Sequence, residues 1–348
     1  AGDALTDADR NVAIGSGALS TDTLGSKSIA IGQAALFTQN FTTATDTFNV
    51  AIGHDAGTLV TTGVQNTFIG GLAGDANTTA GNNTAVGYSS LSANTTGTSN
   101  SAVGAFSLLS NTTGNQNTAI GQNSLDANTT AADNTAVGFS ALGANTTGTL
   151  NTAMGAGALD ANTTANDNTG IGAASMGGNT TGTRNTAVGS DSLKVSTTGN
   201  DNTAIGKGAL TANTTASNNT AVGKNSLTTN TTGANNTSVG KDALLSNTTG
   251  ANNTALGFAA LDAAILPSSN TSIGSASLSV NVHSSQNTAV GSNSLESHNL
   301  GSAGNGLNTA VGYNSGLAVT TGIENTLMGA LAGDALTDAD FNVAVGYQ

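Results

Sequence analysis

The chain has 348 residues, of which only 8% are charged and 3% aromatic, and it contains 47 Gly, one Pro and neither Cys nor Trp. This composition excludes a conventional two-layer enzyme domain, which needs many large apolar side chains, and 37% apolar residues with a single Pro argue against disorder. A net charge of −13 argues against a nucleic-acid partner, because phosphate neutralisation needs clustered Lys and Arg, and no apolar run is long enough to span a membrane.

A pentapeptide of the form Asn-Thr-Ala-Val-Gly recurs along the whole chain. Its last residue, here called the motif glycine, occurs twenty times, at Gly15, Gly32, Gly53, Gly70, Gly87, Gly104, Gly121, Gly138, Gly155, Gly172, Gly189, Gly206, Gly223, Gly240, Gly257, Gly274, Gly291, Gly312, Gly329 and Gly346. Most intervals are seventeen residues. The intervals between Gly32 and Gly53 and between Gly291 and Gly312 are four residues longer, so each carries an insertion that we expect to form a protruding loop. Residues 1–348 are therefore predicted to form a single continuous repeat array.

Aligning the copies on the motif glycine sorts the residues before it into four columns. In chain order these are an asparagine column with nineteen Asn, a threonine column of Thr, other β-branched residues or Ser, an alanine column of mostly small residues, and an aliphatic column. The alanine column has two large exceptions, Phe68 and Leu327. We expect the aliphatic column to face the interior, and the alanine column to lie where another backbone comes close.

Two more columns follow the motif glycine. Four residues after it, the leucine column holds Leu in most copies, Met176 once, and Gly at Gly57, Gly74, Gly316 and Gly333. Seven residues after it, the corner asparagine column begins an Asn-Thr-Thr unit in ten copies. Gly and Asn-Thr-Thr-Gly are typical of tight turns, whereas Thr-Ala-Val alternates faces as a short strand does.

One repeat is therefore predicted to be one coil of an all-β parallel solenoid of about twenty coils. Asn side chains one coil apart are expected to form a hydrogen-bonded ladder and to satisfy backbone groups at the corners. Each coil offers its interior only about one Val or Ile, one Leu and one Ala, so additional apolar burial between chains is expected. We predict this contact along the alanine column, with three chains meeting there.

Two segments resemble a known motif: Lys27-Ser28-Ile29-Ala30-Ile31-Gly32 and Asn49-Val50-Ala51-Ile52-Gly53. They are similar to the Ser-Val-Ala-Ile-Gly motif of the YadA-like head of trimeric autotransporter adhesins. The Asn-Thr-Ala-Val-Gly form also resembles repeats of phage tail fibres and bacterial surface fibres. The resemblance covers essentially the whole chain and implies a left-handed parallel β-roll, a homotrimer, and a place on a cell surface or a virion. The adhesin repeat is shorter, which implies a different corner geometry.

No catalytic, cofactor or metal site is expected, and the chain is predicted not to be an enzyme. The three histidines, His54, His283 and His298, share no repeated context with a nucleophile and a carboxylate. His54 falls in a variable column that we expect to face outward. His283 and His298 could share a metal, but their spacing matches no recognised ligand pattern. The nonapeptide that binds calcium in acidic solenoids is missing.

Two columns of charged residues and one column of glycosylation sequons also carry predictions. An alternating charge ladder is predicted on consecutive coils at Asp167, Arg184 and Asp201. A like-charged stripe, either solvated or faced by acids of a neighbouring chain, is predicted at Lys207, Lys224 and Lys241. The Asn-Thr-Thr units are either turn-forming residues or N-glycan acceptors, at Asn77, Asn94, Asn111, Asn128, Asn145, Asn162, Asn179, Asn213, Asn230 and Asn247.

The favoured function is a non-enzymatic extracellular fibre or filament that acts as an adhesin shaft or spacer and associates with itself. One alternative is a receptor- or glycan-binding module that uses the loops after Gly32 and Gly291. The other is an ice-binding solenoid, although adjacent corner threonines such as Thr78 and Thr79 would point to opposite faces of an extended segment.

The first nine residues of the chain recur near its other end. Residues 1–9 and 332–340 are identical, at an offset of 331 residues, which nineteen coils of seventeen residues and two four-residue insertions account for. The chain is therefore predicted to be one super-repeat, plus an overlap, of a longer tandem array.

Overall fold

The computed structural model describes residues 1–348 and contains twenty-four short β-strands and no helix. By its internal contacts the chain divides into two compact units, Ala1–Asn168 and Thr169–Gln348. None of its segments forms a long apolar helix of the kind that spans a membrane.

Nine three-residue strands and two two-residue strands make up the first unit. They are β1 Val12–Ile14, β2 Gly25–Ser26, β3 Ile29–Ile31, β4 Thr45–Asp46, β5 Val50–Ile52, β6 Thr67–Ile69, β7 Thr84–Val86, β8 Ser101–Val103, β9 Thr118–Ile120, β10 Thr135–Val137 and β11 Thr152–Met154. Eleven three-residue strands and two two-residue strands make up the second unit. They are β12 Thr169–Ile171, β13 Thr186–Val188, β14 Thr203–Ile205, β15 Thr220–Val222, β16 Thr237–Val239, β17 Thr254–Leu256, β18 Thr271–Ile273, β19 Ser284–Ser285, β20 Thr288–Val290, β21 Gly304–Asn305, β22 Thr309–Val311, β23 Thr326–Met328 and β24 Val343–Val345.

Within each unit, the three-residue strands of successive coils pair in parallel. In the first unit Thr135 lies opposite Thr152, one coil further along the chain. In the second unit Thr186 lies opposite Thr203 in the same way. A column of the sequence alignment is therefore a column in space, which confirms the prediction of an all-β parallel solenoid with seventeen-residue coils.

The prediction that the aliphatic column faces the interior is wrong. Ala85 and Ala102 of the alanine column are completely buried, whereas Ile120 and Ile14 of the aliphatic column are 42% and 58% exposed. Side chains alternate along a strand, so the threonine and aliphatic columns share the outer face and the alanine column points inward. The alanine column is thus part of the solenoid's own core, and three chains cannot meet along it as predicted.

The interior of a coil is narrow and is filled by small residues on the strand and by Leu on the opposite wall. The leucine column is completely buried, as at Leu91 and Leu210. Where the alanine column instead carries Phe68, the leucine column has Gly57 and Gly74. A Cβ added to Gly74 would lie 2.5 Å from Cε1 of Phe68, and one added to Gly57 would lie 2.8 Å from its Cδ2. One large side chain thus occupies the space of two leucines.

The second unit repeats this exchange of volume. Leu327 takes the place of Ala, and the leucine column has Gly316 and Gly333. A Cβ added to these glycines would lie 2.8 Å and 2.7 Å from the methyl carbons of Leu327. The exchange shows that the alanine and leucine columns pack directly against each other.

Each three-residue strand is followed by a corner that only glycine can form. The motif glycines have φ between +125° and +145°. A Cβ on Gly121 would lie 2.5 Å from the carbonyl oxygen of Gly138 on the next coil, much closer than van der Waals contact.

The corners also hold non-glycine residues in the left-handed conformation. In one coil of the first unit Asn82, Ser89 and Leu91 have φ of 61°, 52° and 53°. Each costs about 1 kcal/mol relative to a right-handed residue. Hydrogen bonds between coils hold them there, since Leu91 donates its backbone N–H to the carbonyl of Ser107 at 2.9 Å.

The asparagine column connects coils through side chain and main chain together. The side-chain Oδ1 of Asn66 accepts the backbone N–H of Asn83 on the next coil at 3.0 Å. Its Nδ2 donates to the carbonyl of Ala80 at 2.9 Å. The predicted ladder that satisfies corner backbone groups is therefore present, and it is built mainly from side-chain to main-chain bonds.

Candidate functional site

The corner asparagine column forms a second ladder, in which side-chain amides bond to one another. Asn94 donates Nδ2 to Oδ1 of Asn77 at 2.8 Å and also to the carbonyl of Gly97 at 2.9 Å. All ten candidate glycan acceptors of this column are completely buried. A sugar on any of these nitrogens would replace a donor of the ladder and has no room inside the coil. In the folded chain these asparagines are therefore turn-forming and ladder residues with buried side chains.

The ladder is interrupted where the column carries a shorter residue. Ser196 takes the place of Asn in one coil, and its buried hydroxyl has no hydrogen-bond partner. Ala264 takes the place of Asn in another coil, and the buried Oδ1 of Asn247, one coil earlier, is also without a partner. An unmet buried acceptor costs stability, so these positions are weak points of the second unit.

The first insertion builds a second sheet in addition to a protruding tip. Strand β4 in the insertion pairs in parallel with β2 of the preceding coil, while residues 42–44 are exposed. At this corner Gln39 takes the place of Asn and donates Nε2 to Asp22 Oδ2 at 2.7 Å and to Ser28 Oγ at 2.9 Å. Asp22 is completely buried, and its other oxygen accepts the backbone N–H groups of Gly25 and Phe41. The longer Gln side chain thus closes the widened corner.

The second insertion follows the same plan with a histidine. Strands β19 and β21 form the additional sheet, and His298 is completely buried at the position that Gln39 occupies in the first unit. Its Nε2 lies 2.8 Å from Oγ of Ser284, and Nδ1 has no partner. Burial lowers the pKa of His298 to about 4. The Ser–His contact resembles part of a catalytic arrangement, but the imidazole has no carboxylate partner and both side chains are sealed from solvent.

The other histidines lie apart from any cluster of ligands. His54 is exposed, as expected, and its Nδ1 is 3.1 Å from a carboxylate oxygen of Asp55. His283 is partly buried and its Nδ1 has no partner. The structure has no group of three or more His, Cys, Asp or Glu residues that could hold a metal ion.

The charged columns lie on the surface. Arg184 binds Asp201 of the next coil through two parallel hydrogen bonds of 2.7 Å and 2.9 Å, which confirms this part of the predicted charge ladder. The exposed arginine holds the pKa of Asp201 below its usual value. Lys207, Lys224 and Lys241 are all exposed.

The sequence suggested that the corner threonines point to opposite faces of an extended segment, but they lie in a bend. Thr95 and Thr96 lie in a bend, with the first half-buried and the second exposed. The hydroxyl of Thr95 donates to the carbonyl of Thr112 at 3.0 Å, so it belongs to the bonding between coils. A row of outward threonines exists elsewhere, in the threonine column of the strands.

The outer face of the strands, made of the threonine and aliphatic columns, is the strongest candidate for a functional surface. Over twenty coils these two columns supply forty residues, and none of them is charged. Fifteen of the twenty residues in the threonine column are Thr, and all twenty in the aliphatic column are aliphatic or Met. A solvated surface ordinarily mixes both signs of charge, so this face is set apart by its composition. No protein-family model and no curated protein matches the chain.

Proposed function

We propose that the chain is a non-enzymatic, extracellular structural fibre, an adhesin shaft or spacer, whose chains associate as homotrimers through the uncharged outer face. The observation that carries this proposal is the row of partly exposed aliphatic side chains on every coil, in a face without a single charge. Every coil contributes the same kind of residue, as a continuous contact along a fibre requires.

The size of this apolar row is adequate for association. Residues such as Ile120 and Met154 are 42% and 43% exposed. Covering such a side chain is worth about 1 kcal/mol, so the nine coils of the first unit offer about 9 kcal/mol per chain and the eleven of the second about 11. Each association step costs about 4–15 kcal/mol in lost translational and rotational freedom, so the gain is of the size that association requires.

The resemblance to YadA-like heads supports three as the number of chains and a left-handed coil. It also supports a surface location, because those heads are exposed on cells. The contact between chains differs from the sequence-based prediction. It lies along the aliphatic column, since the alanine column is buried within the coil.

Solution mass, measured by light scattering during gel filtration, tests the proposal. We expect about 100 kDa, three times the 33.5 kDa of one chain. The variant V103K/I120K places two charges on the outer face and is expected to run as a monomer. Its matched control, A105K/Q122K, adds the same charges two residues further along the chain and is expected to remain trimeric. A monomeric parent protein, or equal behaviour of the two variants, would refute the proposed interface.

An ice-binding solenoid is the second candidate, and one observation favours it. The outer face sets a row of threonines beside a row of mostly β-branched aliphatic side chains, at the regular spacing of a parallel sheet. Ice binding needs this face to be open to water, whereas the trimer covers it. A thermal-hysteresis measurement on the parent protein and on V103K/I120K separates the two, since hysteresis that disappears in the variant requires an open face.

A further inference from the structure

The few cations of the chain are concentrated in one segment. Of seven Lys and Arg residues, five lie between positions 184 and 241, a segment that contains only two acids, Asp191 and Asp201. This segment of the second unit therefore carries a net charge of about +3 in a chain whose total is −13. Such a local reversal of sign favours an anionic partner at this place.

Three of these cations form a regular row. Lys207, Lys224 and Lys241 each follow a motif glycine directly, on consecutive coils, and all are exposed. The carbonyls of Lys207 and Lys224 accept the backbone N–H groups of Asn225 and Asp242 at 3.0 Å, so the row is fixed to the ladder between coils. Neighbouring positions are therefore about 4.8 Å apart, and like charges at this spacing repel each other. Neither Lys207 nor Lys224 forms an ion pair within the chain.

An aromatic ring and two polar side chains extend the row. Phe258 occupies the next position of the same column, is 54% exposed, and its ring centre lies 5.2 Å from Nζ of Lys241. Asp242 lies beside the row, 3.2 Å from Nζ of Lys241, and accepts a hydrogen bond from Nδ2 of Asn225 at 3.0 Å. The surface thus offers in one line cations, an apolar ring and fixed hydrogen-bonding groups.

We propose that the track formed by Lys207, Lys224, Lys241 and Phe258 binds a linear polysaccharide that carries carboxylate groups. A row of equally spaced cations fits a ligand whose negative charges also repeat along a line. The ring of Phe258 can stack on the apolar face of a sugar, and the carboxylate of Asp242 accepts hydrogen bonds from hydroxyl groups. The sugar-phosphate backbone of DNA has no hydroxyl groups to donate to this carboxylate, which favours a polysaccharide over DNA.

Binding of polygalacturonate, a linear polymer with one carboxylate on each sugar, tests this proposal by biolayer interferometry. The parent protein is expected to bind it more strongly than neutral pullulan or single-stranded DNA, with an affinity that falls as salt is added. The variant K207Q/K241Q is expected to bind about tenfold more weakly, since each exposed ion pair contributes a modest share. F258A is expected to bind more weakly with an unchanged dependence on salt.

The matched control is R10Q/K27Q, which lowers the net charge by the same two units but leaves the track intact. It is expected to bind polygalacturonate as the parent does. Absence of binding by the parent, equal loss in both double variants, equal binding of pullulan, or tighter binding of single-stranded DNA would each overturn the proposal. Thermal unfolding checks that the variants keep the fold, above all R10Q/K27Q, because Lys27 is half-buried and pairs with Asp46. Because the trimer is tested by mass, the two proposals can fail independently.

Discussion

The exchange of core volume around Phe68 makes a sharp prediction about the interior. Phe68 stands in the alanine column, and the two coils around it have Gly57 and Gly74 in the leucine column. The triple variant F68A/G57L/G74L gives these coils the core composition of their neighbours, which pair residues such as Ala85 and Leu91. We expect the triple variant to be about as stable as the parent, although its component changes are each strongly destabilising.

The magnitudes follow from the contacts. Phe68 is completely buried, so F68A alone removes a full aromatic side chain and costs about 3–5 kcal/mol. In G74L alone, the new Cβ lies 2.5 Å from the ring of Phe68, and overpacking of this kind costs about 1–3 kcal/mol or more. Left-handed Leu is not itself an obstacle, because Leu91 has φ of 53° in a standard coil. We therefore expect a favourable coupling of at least about 3 kcal/mol between the changes.

Hydrogen exchange measured by mass spectrometry is the suitable assay, because a long repeat array need not unfold in one step. Peptides that cover residues 50–91 are expected to exchange much faster in F68A and to regain protection in the triple variant. The second unit supplies an independent copy of the experiment in L327A/G316L/G333L. If the costs of the single changes simply add in both units, the packing of the alanine column against the leucine column is refuted.

Three further predictions concern single positions. Replacing Ala264 by Asn gives the unmet Oδ1 of Asn247 a donor and is expected to stabilise the second unit by about 1 kcal/mol, seen as slower exchange there; a destabilised A264N would contradict this. Between pH 6.5 and about 4, the unfolded chain binds a proton that buried His298 does not. The free energy of unfolding therefore decreases by up to about 3 kcal/mol as the pH is lowered through this range. H298Q, which copies Gln39, should remove this part of the pH dependence in urea titrations. Gly121→Ala is expected to open its corner in exchange experiments, because its Cβ would meet the next coil, and an unchanged pattern would refute that reasoning.

Much of the fold was predictable because a repeated sequence gives twenty observations of one coil. The fixed spacing of the motif glycines, the alternation in Thr-Ala-Val and the turn-forming Asn-Thr-Thr unit together predict a parallel solenoid. The inter-coil role of the asparagine column was predictable as well, since a buried amide repeated every coil needs partners that also repeat.

The sequence analysis did not predict which face of each strand points inward, because hydrophobicity alone favours placing Val and Ile inside. The interior of a seventeen-residue coil is too narrow for this, and it admits Ala against Leu. The sequence did contain a signal that the alanine column faces the core. Phe68 and Leu327 are the large exceptions of the alanine column, and each is accompanied by Gly in the leucine column, as expected only if the two columns fill the same space.

The buried His298 and Gln39 were not predicted either. Both stand in the corner asparagine column of a coil with an insertion, and each has a longer side chain than Asn. The sequence analysis predicted that the insertions form loops, and loop residues ordinarily face solvent. They form additional parallel strand pairs, so the corner inside them is wider and has to be filled.

The two proposed surfaces differ in the way that their roles require. An interface between chains runs along every coil, and the aliphatic column is uniform over all twenty. A binding track serves one place, and the column after the motif glycine is variable, with Lys on three consecutive coils and Ser, Gln, Ala or aromatic residues on many others. Because all coils have the same backbone conformation, the side chains of this column can vary without disturbing the core beneath them. In these two proposals, association depends on the repeated residues and recognition depends on the residues that depart from the repeat.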